Sequence, residues 1–485
     1  ITKDKYKFII NNDIEIPLFY LNNFENVNMK NYSEFKNNLK DNFLKLSFKS
    51  PIYLNKIKKE LEKNNYELFE SNVNGIIQFI HDNNLSGCSW ISIDENELEL
   101  VEYEKISKCD LEYNLYDNEE ISKCENDEIV KLKICSYDIE VTSEDGSFPQ
   151  AIRAGDKIIQ IGMTFNYFQE NNCYKKYLLN LNSCDTIENT EIICVTKEED
   201  LIKEFINVIN KEDPDVICGY NIFGFDNKYM HDRSLMNSEY QEILATMSRL
   251  VNPQKFVKKE LSSSALGDNI LYYYQTPGRI MIDLLKVVRN TFSLEKYSLD
   301  FVSSYLISGT ILDINNNYFI SKTNELEKDS FCFIKILDTI SNTEELFENK
   351  LMITSIEENK FFFKGDISKL QQKDNIKWCL AKDDLSPNDI FEYFKKTSHH
   401  RSVIGKYCIK DCVLVNKLME KIDVISNSIA MANVCKVPLN YIFIRGQGIK
   451  AFSLIKYEAN KENYLFPTIT KDFIINKKKN IPENH

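Results

Sequence analysis

No two cysteines stand in a CxxC spacing, no apolar run approaches the roughly 18 residues that cross a bilayer, and only five histidines occur in 485 residues. Each shortage removes a class of protein. The thirteen cysteines are scattered singly, which speaks against a zinc ribbon or a thioredoxin-like pair. With no leader-like apolar start, they set the expectation of a reduced, intracellular protein with no membrane partner. His399 and His400 are the sole adjacent pair. Side by side at the start of a helical pattern they point apart, so neither a zinc centre nor a Ser-His-Asp triad has support. Neither GxGxxG nor a GxxxxGK loop followed by Ser or Thr is present, which removes nucleotide-driven and dinucleotide chemistry. Positive charge is in deficit, 60 Lys and Arg against 73 Asp and Glu, net −13. That balance argues against a protein whose whole surface grips nucleic acid and leaves local basic patches open.

What is present can fill real cores: 43% hydrophobic and 12% aromatic residues, in a length that suits about three domains. Residues 1–130 mix β-like runs (KFII, ELELVEY) with one amphipathic segment, SNVNGIIQFIHDNNL, whose apolar face is expected at Ile76, Ile77, Phe79 and Ile80. From 131 to about 220 the runs KLKICSYDIE, DKIIQIGMTF, YKKYLLNL, EIICV and DVICGY read as strands. A helix precedes the last of them, with Thr196 and Glu199 as an expected capping box and Asp213-Pro214 as its stop. The pattern predicts an α/β domain on a mixed sheet. GRIMIDLLKVV passes from strand to helix, residues 311 to about 380 read as a β-rich insert, and a long helix is expected over 399–422. The chain starts at Ile1 and closes on KKKNIPENH, so a piece of a longer protein is expected.

The chemistry lies in acids at awkward places. In KICSYDIEVT, residues 133–142, Asp138 and Glu140 share one face of a strand while Cys135, Tyr137, Ile139 and Val141 share the other. Converging carboxylates repel unless a cation lies between them, and oxygen ligands suit Mg²⁺ or Mn²⁺; a solvated edge strand is the competing reading. In the long helix Asp411 falls inside the stripe of Val403, Ile404, Tyr407, Cys408, Val415, Leu418, Met419 and Ile422, where a carboxylate needs a metal or a basic partner. Tyr407 lies one turn earlier on that face. A structural acid is the alternative. In PDVICGYNIFGFDNKYM, Asp226 stands where a buried strand turns into a helix, a place where α/β active sites gather, although helix-starting aspartates are common. Asn221 can order that loop, and Phe223 and Phe225 offer rings for stacking on a base. Together the four acids and Tyr407 fit phosphodiester hydrolysis by two divalent ions about 4 Å apart.

YDIE, GYNIFGFD and YCIKD, in this order and split by a β-rich insert, resemble the three proofreading-exonuclease motifs of B-family DNA polymerases, most nearly the delta-like and large-DNA-virus branch. Supporting matches include DGSFPQAIRAGDKIIQIG, YSLDFVSSYL and VPLNYIFIRGQGIKAFSLI, so the resemblance spans about residues 45–467. It implies a ribonuclease-H-like 3′–5′ exonuclease domain over 131–425 with its insert at 311–380. That domain would be embedded in an α+β amino-terminal domain of 1–130 that resumes at 426–485. Carried over by motif, Asp138, Glu140 and Asp411 would hold one Mg²⁺ or Mn²⁺, and Asp138 and Asp226 a second. Tyr407 would orient the attacking water, and Asn221 and Phe225 would meet a frayed 3′ end. Asp283 is expected to be structural, and the Arg445-Gly446-Gln447 loop to lie near the junction with the palm. The SLYPS and YGDTD motifs of the polymerase palm do not occur. The resemblance therefore implies the proofreading part alone, working on DNA beside a palm, fingers and thumb in cis or on a separate chain. It further implies a sliding clamp as candidate partner and a nuclear or viral replication compartment. A scaffold without activity and a free-standing trimming nuclease are the competing classes.

Overall fold

The computed structural model describes residues 7–10, 14–32, 40–115, 121–126, 128, 130–170, 172–236, 242–263, 267–323, 325–338, 343–370, 375–381 and 385–468. The polar carboxy-terminal run from 469 lies outside the described residues. At the centre is a six-stranded mixed sheet made of β1 (Lys133–Val141), β2 (Ile158–Tyr167), β3 (Lys175–Leu181), β4 (Glu191–Val195), β5 (Val216–Gly219) and β6 (Ile280–Asp283), in the order β4-β3-β2-β1-β5-β6. β1, β2 and β3 run antiparallel in sequence, whereas β3–β4, β1–β5 and β5–β6 are parallel. β1 is flanked on both sides and is buried along most of its length, so the solvated edge is not the one the molecule uses.

Helices cover both faces. α1 (Glu198–Glu212) buries Leu201, Ile202, Phe205, Val208 and Ile209 against one of them, with the Phe205 ring 5.2 Å from Tyr137. It starts later than the capping box anticipated. Lys197 is the N-cap residue and makes no side-chain cap; instead Glu198, Glu199 and Asp200 place negative charge in the first turn. Glu198 also grips Arg233 and accepts the Ile158 N–H at 2.8 Å, a tertiary use that no local pattern announces. The opposite face is covered by α5 (Ser398–Lys421), preceded by α4 (Pro387–Lys395). Between β5 and β6 runs α2 (Asp226–Ser234), and β6 continues into α3 (Leu284–Thr291).

Strands from Ser308 to Ala381 close into a six-stranded barrel around Phe319, Phe361 and Trp378. Lys417–Glu327 (2.6 Å) and Lys421–Glu325 (2.5 Å) fasten it to α5. Near the start of the chain the helix Gly75–Asp82 buries Ile77, Ile80 and His81, whereas Ile76, expected on the same face, is 54% exposed. The run ELELVEY contributes only the short strand Leu98–Leu100. Residues 436–468 pack back on this region. Tyr464–Leu465 pairs in parallel with Leu21–Asn31, Lys456 Nζ lies 2.9 Å from Glu70 Oε2 with the lysine fully buried, and His81 Nε2 is 3.0 Å from Ser453 Oγ.

Candidate active site

Alternation along β1 aims Ser136, Asp138 and Glu140 at α5, and puts Tyr137 and Ile139 in the core beneath α1. Asp138 is half-buried and Glu140 buried. Their carboxylate oxygens and Cys408 Sγ lie within 4.8 Å of one another, a separation that suits ligands of a common cation. α5 supplies Tyr407, half-buried, and Asp411, only 8% exposed.

The third acid arrives on the β5–α2 turn. Asp226 is the first residue of α2, 3% exposed, and its Oδ1 accepts the Ile139 N–H at 3.3 Å. Burial, reinforced by the Asp283 charge, holds its carboxyl well above the usual carboxylate range. Asp283 is the N-cap of α3 and organises this turn from beneath. It accepts N–H groups from Asn221 (2.8 Å), Phe223 (3.0 Å) and Leu285 (3.0 Å), while burial outweighs those bonds and pushes it up to about 6. Its place is that of a support. Asn221 takes the left-handed conformation (φ 68°), which asparagine tolerates, and its carbonyl accepts from both Gly224 and Phe225 at 2.9 Å. A Cβ on Gly224 would collide with Asn221 Oδ1, so a larger residue there would displace the Asn221 side chain. Phe223 does not offer a stacking surface: it is fully buried in the main core, while Phe225 reaches the cleft.

These parts enclose one open cleft of about 470 Å³. Its walls include Asp138, Glu140, Asn221, Phe225, Asp226, Tyr407 and Asp411, so the residues singled out in the sequence meet in one place. Among the described residues its lining holds no lysine, arginine or histidine. Four carboxylates converging on one cleft, one of them pushed toward its neutral form by burial, are a donor set that fits hard divalent cations. Phe148 and Pro149, from the loop after β1, and Asn388 and Phe391, from α4, were not anticipated as walls. Phe148 is 74% exposed and meets Phe225 edge-on at 5.8 Å. Nothing in the local pattern of GSFPQ marks that ring as a wall. Arg153 holds that loop, donating to Asp156 (2.7 Å), Asp145 (2.5 Å), Ser147 Oγ (3.0 Å) and the Phe148 carbonyl (3.0 Å). Cys408 was noted only as an apolar stripe residue.

The sheet order and the acids converging on β1 define a ribonuclease-H-like exonuclease domain. Residues 66–302 match the family model for the exonuclease domain of DNA polymerase family B. Asp138, Glu140, Asn221, Phe225 and Asp226 lie inside that match, Tyr407 and Asp411 beyond it. The DNA polymerase of Acanthamoeba polyphaga mimivirus is 31% identical over 91% of this chain and 33% of its own. That of Pyramimonas orientalis virus is 40% identical over 66% and 25%. The DNA polymerase delta catalytic subunit of Dictyostelium discoideum is 27% identical over 83% and 30%. The solved family B DNA polymerase of the archaeon Pyrobaculum calidifontis shares the fold with a TM-score of 0.57 at 16% identity, over 93% of this chain and 44% of that one. The chain belongs to DNA polymerase family B. It spans about a third or less of the length of these curated relatives.

Proposed function

We propose that this chain hydrolyses phosphodiester bonds at the 3′ end of single-stranded or frayed DNA, as the proofreading part of a family B DNA polymerase. The observation that carries the reading is convergence: β1, the β5–α2 turn and α5, separated by up to 273 residues of sequence between Asp138 and Asp411, deliver four carboxylates to one cleft with an aromatic wall. Asp138, Glu140 and Asp411 would hold one divalent cation and Asp138 and Asp226 a second, Mg²⁺ or Mn²⁺. When bound, such a pair supplies an activated water and charge stabilisation for the leaving oxygen. The Tyr407 hydroxyl orients the attacking water. Asn221 and Phe225 seat the terminal nucleotide, the ring by stacking, and Phe148 faces it across the cleft. Asp283 keeps the loop that carries three of these residues.

The partition into an amino-terminal domain (1–130 and 426–485) around an exonuclease domain (131–425) belongs to the same proposal, supported by the return of 436–468 onto the first hundred residues. Synthesis is assigned to the whole protein, with its nucleotidyl-transfer acids on segments outside this sequence, in a nuclear or viral replication compartment and with a sliding clamp as partner. The test gives the purified chain a 5′-labelled single strand and Mg²⁺. A ladder of shortened strands is expected, lost with Glu140→Ala. An intact strand, or equal trimming by Glu140→Ala, would refute the reading.

A further inference from the structure

The face that α5 turns to the sheet is small and polar where a packed helix ordinarily presents branched apolar groups. Arg401, Gly405, Cys408, Cys412 and Asn416 follow one another at helical spacing and are all buried. Gln160 Nε2 on β2 donates to the Arg401 carbonyl at 2.7 Å and to Asn180 Oδ1 at 2.6 Å. The Cys408 thiol points at the Asp138 carbonyl (3.6 Å) and the Cys412 thiol at the Gly162 carbonyl (3.4 Å). Asn416 Nδ2 donates to Thr164 Oγ1 at 3.0 Å. Two glycines sit in this seam at positions whose secondary structure disfavours them. A Cβ on Gly405, in mid-helix, would collide with the Leu178 side chain. A Cβ on Gly162, in mid-strand, would lie 2.7 Å from Cys408 Sγ and 3.3 Å from the backbone C and O of the same residue. Gly162 is the direct cross-strand partner of Asp138. The helix backbone therefore comes down beside the acid whose site it completes.

We infer that this seam is a positioning device: Gly162, with Cys408 seated over it and Asn416 bonded to Thr164, fixes the height and axial register of α5, and so the placement of Tyr407 and Asp411 over Asp138 and Glu140. A purely apolar face would allow the helix to slide or rise at small cost. Hydrogen bonds to β2 and to the β1 carbonyl allow one register, because each displaced step leaves buried polar groups without partners. The inference deepens the exonuclease reading and rests on it for its kinetic arm. Misplacement of a reacting group by about 1 Å can cost about 10²-fold in rate.

The test is a substitution and its relief. Gly162→Ala should keep the far-ultraviolet circular dichroism of the parent. It should lower kcat on single-stranded DNA by about 10-fold or more, leave KM for DNA within about 2-fold, and raise the Mn²⁺ concentration for half-saturation, read by electron paramagnetic resonance without substrate. Gly162→Ala with Cys408→Ser should recover part of both losses, since the shorter C–O bond draws the side chain back from the new methyl while keeping a donor toward the Asp138 carbonyl. A Gly162→Ala protein with parental kcat and Mn²⁺ affinity overturns the proposal, as does a double variant no better than the single one. If Gly162→Ala does not fold, Thr164→Val decides: kcat and Mn²⁺ affinity should fall with KM unchanged, and parental values would overturn the inference. Absent trimming by the parent would count against the exonuclease reading alone, because Mn²⁺ binding reads the helix seat independently.

Discussion

Asp226 carries the conflict that marks the site. Its carboxylate is buried beside Asp283 and shifted toward neutrality, an arrangement that weakens a fold unless a cation repays it. Asp226→Asn removes the charge and keeps the shape. In metal-free protein its melting temperature should equal or exceed that of the parent, and Mg²⁺ should raise the parent more than the variant. Trimming should fall about 10²-fold or more, the scale on which loss of a charge-stabilising group acts. Differential scanning fluorimetry and a strand-shortening assay read the two effects. A variant that melts lower without metal and gains as much from Mg²⁺ as the parent would contradict the account. Three of the acids were legible in the sequence because each stands where its local pattern penalises it, two on one strand face and one in a helix stripe, and Asp226 was legible by its place where a buried strand turns into a helix. Cys408 and Phe148 were not, because a thiol in an apolar stripe and a loop phenylalanine violate nothing locally. Their roles exist only once β1, α5 and the loop are brought together.

At the scale of elements, the loop after β1 bears, on the proposed reading, on binding rather than on the reaction step. Arg153 ties it through Asp145, Asp156, Ser147 and the Phe148 carbonyl, and a freed loop would withdraw one aromatic wall. Arg153→Gln should raise KM for single-stranded DNA about 5-fold or more, one base stack being worth about 1–3 kcal/mol, with kcat little changed. A lost kcat at parental KM would place the loop in the chemistry instead. Most strands and both long helices follow from hydrophobic periodicity, which local residues carry. The start of α1 does not, since Glu198 is committed to Arg233 and to the backbone of β2, contacts that distant chain segments create. Phe223 shows the same limit: a ring in a short loop reads as a surface feature until β5 and the Phe256–Tyr274 hairpin close over it.

Across the whole molecule, the segments 14–115 and 436–468 hold each other through buried polar pairs. His81 packs against the helix Gln447–Lys461, and burial, with Lys456 and Lys436 nearby, pulls its pKa down to about 4. An unfolded histidine titrates near 6.5, so between those values the unfolded chain binds more protons and stability is lost as pH falls from about 6.5 toward 4. His81→Gln should flatten that part of the urea-midpoint profile; an unchanged slope would show that other groups govern it. Lys456→Met should cost about 1–3 kcal/mol by removing the buried ammonium beside half-buried Glu70, and Lys456→Met with Glu70→Leu should cost less, as measured by urea denaturation. Sequence reading reached the return of the chain through resemblance alone, because a buried Lys–Glu pair separated by most of the chain has no local signature.

On the proposed reading Asp138, Glu140, Asp226 and Asp411 form a single site for two divalent cations. Crystals grown with Mn²⁺ and a nucleoside monophosphate test it most directly, through anomalous scattering. The account predicts two peaks about 4 Å apart, bounded by these four carboxylates, with the nucleotide base against Phe225. A cleft without manganese at saturating Mn²⁺, or a lone peak that leaves Asp226 and Asp411 uninvolved, would contradict it.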